Sequence, residues 1–159
     1  MTGLLKAEKV SGILAEFGSV EQVRKNRIRI TTHRQKILSA IKAAQQLLEC
    51  DHLIMISCTD NSQAFCLTYH LTGPHRTIIS LAIEVPRDSP QTFTVSDILP
   101  PAGIYERQIH DLFGIVFLGH PNLKRLMLNE DWPDNEFPLR KDWKPKEENS
   151  YGGIAQEGT

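Results

Sequence analysis

Three apolar segments follow one another with only short polar breaks, and they constrain the fold more than any other feature of the chain. Leu53 to Cys58 is nearly all apolar. Phe65, Leu67, Tyr69 and Leu71, and then Ile79, Leu81, Ile83 and Val85, alternate with smaller or polar residues. A period of two places alternate side chains on one face of a sheet. The continuous run is expected to be a buried central strand. Asp60-Asn61-Ser62 and Thr72-Gly73-Pro74 supply turn residues, so a meander is the simplest connection.

Ahead of these strands, Val10, Ile13, Leu14 and Phe17 form a helical stripe that Gly18 should close. Val20 to Thr31 reads as extended chain, with Ile28 and Ile30 alternating against Arg27 and Arg29. Thr32-His33-Arg34-Gln35 has the form of a capping box, and Ile37, Ile41, Ala44 and Leu48 then set the buried face of a helix reaching about Glu49. Helix, strand, helix and three strands predict an α+β fold: a two-layer domain over residues 1–99, with helices on one face of a mostly antiparallel sheet. Pro86 to Pro101, rich in Pro, Ser, Asp and Thr, reads as the connector to a second unit.

Residues 100–143 form that second unit, a helix and a long extended segment. Tyr105, Ile109, Leu112 and Phe113 make one apolar helix face, with Pro100 and Pro101 before it and Gly114 suited to a left-handed residue just past its end. Glu106 and Arg107 can meet His110 and Asp111 on the other side. Ile115 to Leu118 is a short apolar run, turned by Gly119-His120-Pro121-Asn122, where His120 is expected to bond backbone. From Leu123 to Trp143 neither helix nor strand is predicted. Pro133 and Pro138 interrupt a stretch that is nevertheless rich in Leu, Trp and Arg. Such side chains are enriched at tight interfaces, so the stretch reads as extended chain with Arg and aromatic anchors. The alternative is a segment folded back on its own domain, with Arg107 tied to Asp111 and Arg140 to Asp142 or Asp134. Residues 144–159 are polar and glycine-containing and read as a mobile tail.

Charge and cysteines narrow the partners. With 18 basic and 19 acidic side chains, the net charge of −1 gives no bulk reason to expect nucleic acid. No apolar run approaches the roughly 20 residues that span a bilayer, so no direct transmembrane segment is expected. Cys50, Cys58 and Cys66 lie eight apart without a C-x-x-C unit, which reads as core thiols of a reducing compartment rather than a metal site. Glu106 and His110, one turn apart, are the one candidate acid–base pair, with an ordinary helix-surface pair as the other reading. Glycine-rich phosphate loops and nucleophile elbows are absent from the sequence.

The stretch from Tyr105 to Trp143 resembles a known family. E-R-x-I-x-D-L-F-G-I, then G-H-P-N-L-K-R, E-D-W and F-P-L-R-K-D-W are similar to the signature of the 30-kDa (C-type) subunit of respiratory complex I and of related energy-converting nickel–iron hydrogenases. Glu106, Arg107, Asp111, Phe113, Gly114, Gly119, His120, Pro121, Arg125, Pro138, Leu139, Arg140, Lys141 and Asp142 carry the match. Gln108 and His110 depart from the complex I pattern, and His-Asp here with W-P-D-N-E-F-P-L-R-K-D resembles the hydrogenase branch more closely. NADH:quinone oxidoreductase and a relative fed by reduced deazaflavin or ferredoxin stay open.

The resemblance implies a non-catalytic accessory subunit on the cytoplasmic face of the membrane, holding no cofactor itself. Its partners would be a hydrogenase-like large subunit and a small iron–sulfur subunit, with membrane-arm subunits reached indirectly. Iron–sulfur clusters and nickel–iron would reside in those partners. The residues implied for docking are the matching ones other than Gly119, together with Trp132 and Trp143. Truncating Arg140 or Trp143 is therefore expected to weaken assembly more than it weakens the free domain. A stand-alone binding module or assembly factor is the reading of another class, and a small enzyme using Glu106 and His110 is a third.

Overall fold

Alternation along the chain builds a five-stranded sheet in the computed structural model, which describes residues 3–145. β1 (Gly18–Arg24) and β2 (Arg27–Thr32) form a hairpin, and β3 (His52–Asp60), β4 (Ala64–Thr72) and β5 (Ile78–Pro86) form the meander. The strand order is β1-β2-β5-β4-β3, with β2 and β5 parallel and the other pairs antiparallel. Register aligns Ile28 with Ile79, Ile30 with Leu81, Tyr69 with Leu81 and Leu67 with Ile83, so one face is continuously apolar. These side chains are fully buried. The helices α1 (Ala7–Leu14), α2 (Ile37–Leu48) and α3 (Ala102–Phe113) cover that face and share a single core with it.

Insertion of β5 between β2 and β4 corrects one strand expectation. Leu53 to Cys58 is an edge strand rather than a central one. Leu53 and Ile56 enter the core, while Ile54 and Met55 are exposed. The central strand is β5, buried without a break from Ile79 to Ile83. The extended stretch from Val20 is one hairpin, not a single strand.

Two local expectations also change. The first helix ends at Leu14, and Gly18 serves β1 instead: a Cβ there would lie 1.9 Å from the carbonyl oxygen of Thr31. The capping box does not form as predicted. The Thr32 hydroxyl donates to the carbonyl of Phe17, and His33 Nδ1 accepts the Gln35 N–H at the head of a 3-10 turn, Arg34–Lys36.

The connector is also more ordered than its composition implies. Gln91–Phe93 is a strand, β6, pairing in parallel with β7 (Val116–Leu118) as a small second sheet beside α3. Helix α3, grouped with the docking segment by sequence, packs in the common core through Ala102, Ile109 and Phe113. Beyond Pro145 the polar tail lies outside the described residues.

Candidate functional site

Helix α3 organises the motif region. Pro101 caps it, and Gly114 ends it in the left-handed conformation at φ 75°. Phe113 meets Phe65 of β4 edge-on, with ring centroids 5.9 Å apart. A Cβ on Gly114 would stand 2.5 Å from the Phe137 ring and 2.7 Å from the Arg140 guanidinium, so the glycine permits close approach as well as the backbone turn.

Two acidic side chains of α3 point inward, correcting the expected surface pairs. Glu106 is fully buried and does not meet His110. Its carboxylate accepts the Thr94 hydroxyl and the Val95 N–H, the latter at 2.7 Å, and His120 Nε2 lies 3.8 Å away. His120 is held by backbone: its Nδ1 accepts the Asn122 N–H and its Nε2 donates to the carbonyl of Gly103. Burial raises the Glu106 pKa more than these bonds lower it. His110 instead donates from Nδ1 to the carbonyl of Ile115.

Asp111 is the second inward carboxylate. One oxygen, Oδ2, accepts the N–H groups of Leu126, Met127 and Leu128 at 3.1, 2.7 and 2.8 Å. Arg125 Nε lies 3.5 Å from the other oxygen. Burial pushes this carboxyl upward, but the three backbone bonds and Arg125 outweigh it and hold the pKa below the usual carboxylate value. One buried charge thereby fixes the turn at Leu126–Leu128.

Arginines fasten the rest of residues 123–143 as a strap on the domain. Arg107 donates to the carbonyls of Lys124 and Arg125. Arg125 donates to the carbonyls of Asn129 and Trp132 and pairs with Asp134. Arg140 donates to the carbonyl of Phe113 and lies over the rings of Phe137 and Phe65, at 4.4 and 5.2 Å. At the strap's end Arg87 bridges Asp142 and Asp60, and Asp60 also accepts the N–H of Lys141. The expected Arg107–Asp111 and Arg140–Asp142 ties are replaced by these partners.

The segment thus folds back on its own domain while leaving an outward surface. Leu126, Met127 and Leu139 are exposed, Met127 and Leu139 by more than half. Trp132 and Trp143 are half-buried and lie against each other, with centroids 5.8 Å apart. Pro121, Lys141 and Asp142 are exposed, and Pro138 is half-buried. A cleft of about 270 Å³ between α3 and the strap is lined by His110, Asp111, Arg125, Asp134, Glu136 and Phe137. It falls just below the roughly 300–1,000 Å³ of ordinary ligand pockets. Asp111 and Arg125 on its walls are already bonded to the chain itself.

This fold and motif match known proteins. Residues 30–149 match the family model described as respiratory-chain NADH dehydrogenase, 30 Kd subunit. The chain belongs to that family. It is 36% identical over 120 residues to the C subunit of F(420)H(2) dehydrogenase from Methanosarcina mazei, covering 74% of this chain and 75% of that one. It is 40% identical over 79 residues to the C subunit of NADH-quinone oxidoreductase from Herpetosiphon aurantiacus, covering 49% and 45%. The chain therefore spans three quarters of the first relative and under half of the second. Among solved structures, it resembles a chain of the membrane-bound sulfane sulfur reductase, an archaeal respiratory membrane complex (TM-score 0.76, 26% identity, covering 86% of this chain and 84% of that one). A trypsin-resistant fragment of Nqo5 shares the fold at TM-score 0.59, covering 73% of this chain and 95% of the fragment. The α+β fold expected from the strand pattern is thus that of the 30-kDa family.

Sequence reasoning missed the residues that receive the strap. Phe65, Asp60 and Arg87, which meet Arg140, Lys141 and Asp142, lie far from the strap in sequence, whereas Thr94 and Val95 bind Glu106 of α3. Only Phe65 carried a signal, as a core aromatic at the start of a strand.

Proposed function

We propose that this chain is a non-catalytic accessory subunit of a membrane-bound, ion-translocating redox complex, and that the outward surface of its strap docks on a hydrogenase-like large subunit and a small iron–sulfur subunit. One observation carries the reading most: Arg125 and Arg140 of the strap are spent on fixing its shape, while Leu126, Met127 and Leu139 stay exposed and the Trp132–Trp143 pair is only half-buried. A preshaped apolar and aromatic surface lowers the ordering cost of association. The matching residues that fasten the strap, Arg107, Asp111, Phe113, Gly114, Arg125 and Arg140, then serve docking indirectly. Those nearer its outer side, Pro121, Trp132, Pro138, Leu139, Lys141, Asp142 and Trp143, serve it by contact.

A non-catalytic role fits the bonds of Glu106, which is closed off by Thr94 and Val95 and does not face His110. No helix among the described residues is long and apolar enough to cross a membrane. Partner subunits would accordingly hold the chain peripherally, on the cytoplasmic face. Iron–sulfur clusters, and nickel–iron in a hydrogenase, would reside in those partners, and this chain would keep them in fixed register. The likeness over most of both chains to an F(420)H(2) dehydrogenase subunit favours a complex of that kind. The hydrogenase branch remains a second reading, supported by His110-Asp111 and the W-P-D-N-E-F-P-L-R-K-D stretch.

Affinity purification of the tagged chain from detergent-solubilised native membranes tests this reading. Stoichiometric recovery of a hydrogenase-like chain with iron–sulfur and multi-span subunits after salt washing is the expected result. Activity of the eluate with F420H2, NADH or protons then selects the branch. Recovery of the chain alone after mild crosslinking would contradict the reading and leave the binding-module alternative.

A further inference from the structure

Charge is shared unevenly along the chain. Eight basic and three acidic side chains fall in residues 1–36, while the remainder carries ten and sixteen. Such asymmetry orients a protein towards an oppositely charged partner even when its net charge is near zero. Folding sharpens it. The turn of the β1–β2 hairpin gathers Arg24, Lys25 and Arg27. The Asn26 carbonyl accepts the Ile78 N–H, which brings Arg76 to the same end of the sheet. These four cations and Arg29 are exposed, and none of the five forms an ion pair among the described residues.

Arg27 and Arg29 alternate with the buried Ile28 and Ile30, so they stand on the sheet face opposite the helices. Register sets Arg29 beside Ser80 of β5, and Ser80 beside His70 of β4. His70 bridges the hydroxyls of Ser57 and Ser80 at 3.1 and 2.9 Å. Burial first, and then Arg27 and Arg29, hold its pKa below the ordinary histidine value, so the arginines supply the positive charge of this face at neutral pH. Two acidic side chains share the face. Glu21 lies across from Arg29 on β1 without pairing to it, and Glu84 lies farther along β5, opposite Cys66.

Geometry selects the kind of anion. Alternate residues of a strand rise about 7 Å apart, so Arg27 and Arg29 match carboxylates at alternate positions of another extended segment. A guanidinium fork suits a carboxylate in particular. Small side chains at Thr68, Ser80 and Ala82 leave the neighbouring sheet surface low enough for such a segment to approach. Among the described residues no Phe, Tyr or Trp is exposed on this face to enter a lipid interface or to stack on bases.

We propose that this face binds an acidic extended segment of a partner subunit, with carboxylates at alternate positions paired to Arg27 and Arg29 and the hairpin turn and Arg76 attracting it from farther away. This second contact rests on the chain being a docked subunit. It involves none of the strap residues, so the two fail separately.

Arg27→Glu combined with Arg29→Glu tests it. Both side chains are exposed and unpaired, so the isolated variant should melt at the wild-type temperature. In the complex purified from native membranes at low salt, the variant should be retained about tenfold more weakly, and the difference should narrow as salt rises, because exposed charges are screened. A carbodiimide, which joins an amine to a carboxylate with loss of water, should link Lys25, and the amine supplied by Arg29→Lys, to Asp or Glu within one peptide of a partner subunit. Retention of the charge-reversed chain at wild-type strength would overturn the proposal. So would links formed only with a second copy of this chain, or salt-sensitive sedimentation of the isolated chain with vesicles of phosphatidylcholine and phosphatidylglycerol, which would assign the face to a dimer or to lipid. If Leu139→Asp on the strap releases the chain while the charge-reversed variant holds, the docked-subunit reading stands and this contact falls. If wild type itself is recovered alone, both fall.

Discussion

Glu106 and Asp111 sit five residues apart on one helix, and their environments push their pKa values in opposite directions. Burial dominates at Glu106 and raises it, while backbone N–H groups and Arg125 prevail over burial at Asp111 and lower it. The folded state therefore favours the protonated form of Glu106. Its contribution to stability is fully present below the unfolded value of about 4.3 and is lost as pH rises through the raised folded value. In Glu106→Gln the amide oxygen can accept the Val95 N–H and the NH2 can donate to Thr94. The variant should be at least as stable as wild type at pH 7, with its advantage shrinking toward pH 4, as thermal melts across that range would show. A loss exceeding about 2 kcal/mol at pH 7 would mean that the ionised carboxylate is the stabilising form.

Asp111 has the reverse sign. Its contribution is present above the unfolded value of about 3.9 and is lost as pH falls through the depressed folded value. Asp111→Asn should cost about 2 kcal/mol. The damage should concentrate in the strap, so limited proteolysis should cut residues 124–143 before the sheet. Uniform loss across the domain would show that Asp111 acts on the whole core instead. Neither inward carboxylate was legible in the sequence. Spacing of i to i+4 treats charged helix residues as surface pairs, whereas the groups that bind these two come from outside the helix.

At the scale of elements, helices and strands with a clean apolar period were readable, including the buried stripe of α2, the meander and the left-handed Gly114. Strand position was not. Nothing within Leu53–Cys58 reveals that β5 takes the centre, because that depends on a parallel pairing with β2. The strap lies between these cases. Its lack of regular structure was legible, but its anchors depend on contacts as distant in sequence as Asp60 with Lys141. Gly114→Ala should cost about 2 kcal/mol or more, since a left-handed alanine is strained and its Cβ collides with Phe137 and Arg140. Thermal unfolding and strap proteolysis should change together. Arg140→Ala should likewise destabilise the free chain, by about 1–2 kcal/mol, through its bond to the Phe113 carbonyl and its ring contacts. That revises the expectation from sequence that Arg140 is spared for a partner. Trp143→Ala, at the strap's outer side, should weaken assembly more than it lowers the melting temperature of the isolated chain. Equal losses in both would assign Trp143 to the chain's own fold.

Across the whole molecule, the sheet and three helices form a rigid base, and the charged groups of the motif shape one long irregular segment upon it. Irregular segments of this length are usually costly to order. Here Asp111, Arg107, Arg125 and Arg140 offset that cost within the chain, so that a partner meets a preformed surface. Hydrogen–deuterium exchange at the N–H groups of Leu126, Met127 and Leu128 tests this most directly. They should be protected in the isolated chain by their bonds to Asp111, and exchange across residues 123–143 should slow further in the purified complex. Exchange at the rate of unstructured chain in the isolated protein, with no change in the complex, would contradict both the preformed strap and its role in docking.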